Sequence, residues 1–358
     1  MVSLNNPVIS KMRGFSLVEL MVAALLSLLI MVGVVQIFIS NKHTYNTQQG
    51  LSQVQESGRF AMHFLGKEIR NVGYTGCGNL ERLEKVVIQA SPPPVSGDFN
   101  LGASLKGFKD GQDAAGADWV NPIPTSSDQY YPYVAGTDIL EMSGMSPDAV
   151  TLMGKTDVNN GNIFIGGNEA GFEDGDILMI TDCQTADIFC ANNVSNWDPE
   201  TDTVEDKVTM SHPASCNVGS KLSKTYGDDS SVAFFVKKTL YIGTGDSGEP
   251  ALILLDNVKL EADVLVEGIS DMQMLFGIDN VGDDRIVDQY VDADSITTSD
   301  DWAQVLSVRV GIIAESTNEV FPDDIDVSLE LPAGTVNFED KVMRQAFNST
   351  FALRNRLP

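Results

Sequence analysis

Histidine is nearly missing from this chain: three in 358 residues, beside 50 Asp+Glu and only 23 Lys+Arg, for a formal net charge of −27. So few imidazoles leave few partners for a serine-protease arrangement. So negative a field repels a phosphate backbone, which argues against non-specific nucleic-acid binding by the body of the protein. No Walker loop, Rossmann glycine pattern or HExxH is present. Cysteine is scarce too, at four positions, too few to staple a fold of this size alone. Proline is absent from residues 15–90, so nothing there forces a break in a helix. What remains is 43% hydrophobic and 20% charged, enough to bury a core in one large domain or two ordinary ones and unlike a disordered tail.

Residues 15–39 read FSLVELMVAALLSLLIMVGVVQIFI, with Glu19 the one charged side chain. A helix of that length rises about 37 Å, more than the ~30 Å of a bilayer core. Lys11 and Arg13 precede it with no acidic residue upstream, which places the N-terminus in the cytoplasm and the remainder outside. A removable secretory signal has a shorter apolar stretch and a small-x-small exit, whereas this one leaves through QIFISNKHTYN. Glu19 is the anomaly. A carboxylate deep in an apolar helix costs about 2.5–3.5 kcal/mol on insertion scales unless it is paired or protonated. The apolar run supplies no cation, so a partner must come from another chain or from an amine generated nearby.

Beyond the apolar run, Leu51, Val54, Gly58, Ala61, Leu65 and Val72 recur in helical steps, widened by Phe60, Phe64 and Ile69. One helix from Phe15 to about Val72 follows, ended by Gly73, Gly76 and Gly78. Residues 76–358 alternate short apolar runs with Gly, Asp, Asn and Ser clusters, a β-rich pattern. Strands are expected near 86–89, 139–142, 150–153, 163–165, 177–181, 232–237, 240–242, 251–255, 305–314 and 348–353, and Ser91 to Pro132 is expected to be a long surface loop.

Lys11-Met12-Arg13-Gly14-Phe15-Ser16-Leu17-Val18-Glu19 resembles the N-terminal signal of type IV prepilins. Further phrases resemble the PilW family of minor pilins: GYTGCG at 73–78, GDILMITDCQTADIFC at 175–190, LVEGISDMQMLFGID at 265–279, WAQVLSVRVGIIAES at 302–316 and FNSTFALRNRLP from 347. The resemblance implies an α+β, type IV pilin-like fold, its long helix packed on an antiparallel sheet in an enlarged head. It implies a leader at 1–14, a transmembrane half-helix at 15–39, an amphipathic half at 40–75 and a β-rich head at 76–358. A prepilin peptidase would cut between Gly14 and Phe15, and the new Phe15 amine would be N-methylated. In a bundle of such helices that amine can meet Glu19 of a neighbour, which makes Glu19 an assembly residue.

The implied function is that of a non-enzymatic minor pilin, in a priming or tip complex that promotes pilus assembly and supports twitching motility and attachment. Its partners would be other minor pilins, the major pilin, the peptidase and the inner-membrane assembly machinery, with a large tip adhesin as a further candidate. The chain would sit in the inner membrane with a periplasmic head, and then in the pilus. The rival readings are a minor pseudopilin of a type II secretion system and a membrane-tethered module for adhesion or DNA binding.

Cys77, Cys183, Cys190 and Cys216 fall on the exported side, where disulfides form, and allow three pairings. The pairing preferred here is Cys77 with Cys183 and Cys190 with Cys216; a zinc site is the rival, though no CxxC pair exists. Gly245-Asp246-Ser247-Gly248 copies a serine-protease signature but is read as a turn, because His43 and His63 belong to the helix and His212 lies in SHPASC. Asp279, Asp283 and Asp288 lie in an oxygen-rich stretch that offers Ca²⁺, the one cofactor suggested, although Val281, Asp284 and Tyr290 depart from a regular calcium loop.

Overall fold

The computed structural model describes residues 16–76, 83–95, 99–100, 102–156, 161–198, 201–203, 206–282 and 284–356. Helix α1 (Leu17–Arg70) is 54 residues long and unbroken, as the lack of proline predicts. At the rise of an α-helix it spans about 81 Å. Asn71 caps it, and Gly73 turns the chain at φ 68°.

The head is built from strands β1 (Lys85–Ile88), β2 (Leu105–Phe108), β3 (Ile139–Met145), β4 (Val150–Thr151), β5 (Asn162–Gly166), β6 (Ile177–Thr181), β7 (Thr185–Cys190), β8 (Lys207–Ser211) and β9 (Ser231–Thr244). There follow β10 (Pro250–Asp256), β11 (Glu261–Glu267), β12 (Ile269–Ile278), β13 (Gln289–Val291), a short helix α2 (Ser299–Ala303), β14 (Val305–Glu319), β15 (Ile325–Leu331), β16 (Gly334–Asp340) and β17 (Val342–Ala352). They form a nine-stranded sheet with β9 at its centre and a four-stranded sheet ordered β13-β12-β14-β17. Two small ladders, β5-β8 and β15-β16, complete the head. The pairings are antiparallel except β1 with β7. This is the α+β, helix-on-sheet architecture expected.

The four-stranded sheet grips the helix. Its strands alternate with period two, so Met272, Met274 and Phe276 of β12 and Val308, Val310, Ile312 and Ala314 of β14 share the core with Val54, Ala61, Leu65 and Ile69 of α1. Small helical residues let the sheet come close. A Cβ added to Gly50 would lie 2.6 Å from Val320 Cγ2, one added to Gly58 2.1 Å from Phe347 Cε2, and one added to Gly66 2.6 Å from Phe351 Cε1. Three glycines at regular intervals thus form notches that receive three side chains of the head.

Several sequence expectations need correction. Leu51 and Phe60 are 42% and 50% exposed, not on the buried stripe. The face that packs runs instead through Gly50, Val54, Gly58, Ala61, Leu65 and Ile69. Residues 91–132 are not all surface loop: β2 lies among them, and Phe99, Leu105, Phe108 and Ile123 are buried. The strands expected at 232–237 and 240–242 are one strand. Within it Lys237 pairs with Glu141 at 3.6 Å and Lys238 with Glu68 of α1 at 2.8 Å.

A buried carboxylate joins the two large sheets. Asp138, just before β3, donates its backbone N–H to Met272 O at 2.8 Å, and its Oδ2 accepts Met274 N–H at 2.7 Å along the open edge of β12. Its Oδ1 accepts the Asp110 N–H at 3.0 Å. Burial, with the Asp110 and Asp271 carboxylates adding to it, pushes Asp138 up to about 7 against the pull of those N–H groups. Burial likewise raises Asp271 to about 6.

Candidate assembly site

Among the described residues, α1 is not covered by the head over its most apolar part. Its most apolar window has a mean hydropathy of 2.7 and no buried residue, so it is long and apolar enough to cross a membrane. Leu20, Leu25, Leu28, Ile30, Ile37 and Phe38 are all more than half exposed. The hydroxyl of Ser27 needs no water, because its Oγ donates to Ala23 O at 2.7 Å within the helix. Such a surface is stable only in lipid or against other apolar helices.

Glu19 is an exposed residue in the first turn of α1, where the N-terminal end of the helix dipole favours a carboxylate. Among the described residues no cation meets it. Gly14 and Phe15, the cleavage and methylation positions, lie outside the described residues. The Glu19 carboxylate therefore sits exposed on the apolar half of the helix, with no cation beside it among the described residues.

The C-terminus closes the head end of the same rod. Asn355 Nδ2 donates to Val72 O at 3.0 Å, just past the helix, and Arg356 is fully buried. Arg356 donates through Nη1 to Trp302 O and to Val305 O, the latter at 3.0 Å, and through Nη2 to Ser104 Oγ at 2.9 Å. The closing phrase ALRNR contains this lock, yet a charged residue near a chain end gave no hint of burial.

Cys190 and Cys216 are disulfide-bonded with Cα atoms 5.8 Å apart. Asn217 sits on the same junction, its Oδ1 accepting the Cys190 N–H at 2.8 Å and its Nδ2 donating to Cys190 O at 2.9 Å. Cys183 is also disulfide-bonded, and Cys77 lies outside the described residues. No zinc-type thiolate cluster exists among the described residues.

Two of the aspartates suggested for calcium, Asp279 and Asp288, are placed as turn-formers. Asp288 Oδ2 accepts Asn280 N–H at 3.0 Å and Val281 N–H at 2.8 Å, while Asp279 Oδ2 accepts Arg285 N–H at 2.7 Å. Asp279 Oδ1 is buried without a partner. Asp283 lies outside the described residues, and no group of three His, Cys, Asp or Glu among the described residues could hold a metal.

The GDSG segment is the β9–β10 hairpin turn, as its glycines lead one to expect. Gly245 N–H donates to Glu249 O at 2.8 Å, and Gly248 adopts φ 85°. No histidine serves it. His43 and His63 are exposed on α1, and His212 is buried against the Phe189 ring, 5.9 Å between centroids. Both His212 nitrogens lack partners, and burial lowers its pKa.

Residues 239–355 match the family model described as PilW, Type IV Pilus-assembly protein W. The match supports the PilW resemblance drawn from the sequence. The matched stretch contains β10 to β17, the four-stranded sheet that holds α1, Val320, Phe347 and Phe351 that fill its notches, and Asn355. No curated protein and no solved structure matches the chain.

Proposed function

We propose that this chain is a minor pilin: a prepilin cut between Gly14 and Phe15, methylated at Phe15, and incorporated with other minor pilins into a priming or tip complex of a type IV pilus. The observation that carries the reading is the coupling of a partnerless apolar half-helix bearing Glu19 to a head whose gripping sheet matches a pilus-assembly family. In the membrane the apolar half anchors the subunit, with the head in the periplasm. In the fibre the same surface packs against neighbouring helices, including the major pilin, and Glu19 meets the Phe15 amine of an adjacent subunit. Each charge relieves the desolvation of the other. Motility and attachment would follow from the assembled fibre, and the chain itself performs no catalysis in this account.

The test is a Glu19→Leu variant, which should insert in the membrane yet fail to enter filaments. Peptide mapping of filament material should begin at a methylated Phe15. Incorporation of Glu19→Leu at the normal rate, or filaments that retain residues 1–14, would sink the reading. Calcium joins this account only through the unpartnered Asp279 Oδ1, with Asp283 and Asp288 as further donors. Calorimetric titration that gives no heat at millimolar calcium removes it.

A further inference from the structure

The helix carries four Lys and Arg residues in its described length, and three of them, Arg59, Lys67 and Arg70, fall within its last twelve positions. All three are exposed, with the exposed Phe60 and His63 between them. Arg70 lies over the Phe351 ring at 5.5 Å, and Glu68 turns inward to Lys238. Arg59 and Lys67 have no ion-pair partner among the described residues, and Glu56 is the one exposed acid on this stretch of helix. In a chain of net charge −27, this is a basic, aromatic stripe left facing outward.

Opposite charge is concentrated at another level of the same rod. Residues 310–340 contain no Lys or Arg, and Glu319, Asp323, Asp324 and Asp326 are exposed where β14 bends into β15. That corner lies beside the membrane half. Val320 fills the Gly50 notch, Gln53 Nε2 donates to Thr317 Oγ1 at 3.3 Å, and Pro322 lines a cleft with His43 and Thr47. Arg59 and Lys67 stand further along the helix axis than Gly50. At the rise of an α-helix their offsets are about 14 Å and about 26 Å. Among the described residues, no ion pair joins the corner to the stripe of the same chain.

We infer that the acidic corner Glu319–Asp326 of one copy docks on the Arg59-Phe60-His63-Lys67 stripe of a second, parallel copy displaced by that distance along the axis. Copies this acidic repel one another over most of their surface, so their association needs a place where opposite signs meet. The contact uses different patches on the two partners. A heterologous interface of this kind does not close as a two-fold dimer. The inference rests on the pilin-type reading, in which apolar half-helices bring subunits together in parallel.

The test co-expresses two differently tagged full-length chains and measures their co-isolation from detergent-solubilised membranes at low salt. Arg59→Glu with Lys67→Glu in both copies should lower co-isolation roughly fivefold, a size set by two exposed ion pairs turned repulsive. Asp323→Lys with Asp324→Lys in both copies should do the same. Mixing one copy of each kind should restore it, because a stripe and a corner of opposite sign are again present. Unchanged co-isolation in either variant overturns the proposal. So does loss that mixing fails to restore, which assigns the stripe to a different protein; unaltered thermal unfolding shows that the heads remain intact. A Glu19→Leu arm separates the two claims. If it abolishes co-isolation while the charge reversals are silent, the docking pair falls and the pilin reading stands. If the reversals act while Glu19→Leu is silent, the docking pair stands and the pilin reading falls.

Discussion

Gly58→Ala puts the fit of helix into head to a quantitative test. In an isolated helix the change is favourable, because alanine is better than glycine by about 1 kcal/mol. Here the new methyl would lie 2.1 Å from Phe347 Cε2 and 2.5 Å from two further atoms of the same ring. No small adjustment relieves three such contacts, so the ring must leave the notch. Phe347 packs against the main core. Exposing such a phenylalanine costs about 1.5–3 kcal/mol, and repacking around it adds to that. The net expectation is a loss of about 1–3 kcal/mol, against a gain if the helix stood alone. Thermal unfolding of the full chain in detergent reads it, at about 2–4 °C per kcal/mol for a head of this size. The decisive arm is the double mutant. In a Phe347→Ala background the notch is empty, and Gly58→Ala should then be neutral or stabilising by up to about 1 kcal/mol. An equal loss in both backgrounds would refute the notch.

Four further outcomes follow from the same packing. Arg356 donates to the Trp302 and Val305 carbonyls in a fully buried site. Arg356→Ala strands both and should cost about 3 kcal/mol or more; denaturant unfolding checks it, and a change under about 1 kcal/mol removes the lock. Cys190 and Cys216 are separated by 26 positions. Replacing both by alanine should cost about 3.5 kcal/mol by loop entropy, seen as early protease cutting around β8. His212 has a folded pKa below its unfolded value of 6.5, so its stability contribution is fully present above that value and is lost as pH falls through it. His212→Phe should flatten that loss, read by unfolding at a series of pH values from neutral to mildly acidic. Asp138 behaves oppositely: with a folded pKa of about 7 against 3.8, its contribution is full below 3.8 and lost as pH rises through 7. Asp138→Asn should therefore gain on the parent steadily across that interval in the same measurement.

What the sequence made legible was whatever obeys a short period. The uninterrupted α1 could be read because no proline falls in it and apolar residues repeat every three or four positions. The GDSG turn could be read because glycine-rich tetrapeptides between apolar runs close hairpins. The helix face was rotated slightly, through Leu51 instead of Gly50, because hydrophobicity ranks leucine above glycine while close packing against Val320 requires the reverse. The break expected between residues 237 and 240 does not occur, since Lys237 and Lys238 continue the strand and pair with Glu141 and Glu68, residues remote in sequence. Arg356 and Asp138 were hidden for a related reason. A charged side chain reads as surface until the chain has folded enough to bring carbonyls or N–H groups around it, and both residues draw such partners from distant parts of the chain. The candidate site divides along the same line. Glu19 stands out locally, as one carboxylate in an apolar run with no other charge. The acidic corner and the basic stripe are each ordinary runs of surface charge, and their relation emerges only when the Gly50–Val320 contact fixes the level of one on the rod that bears the other.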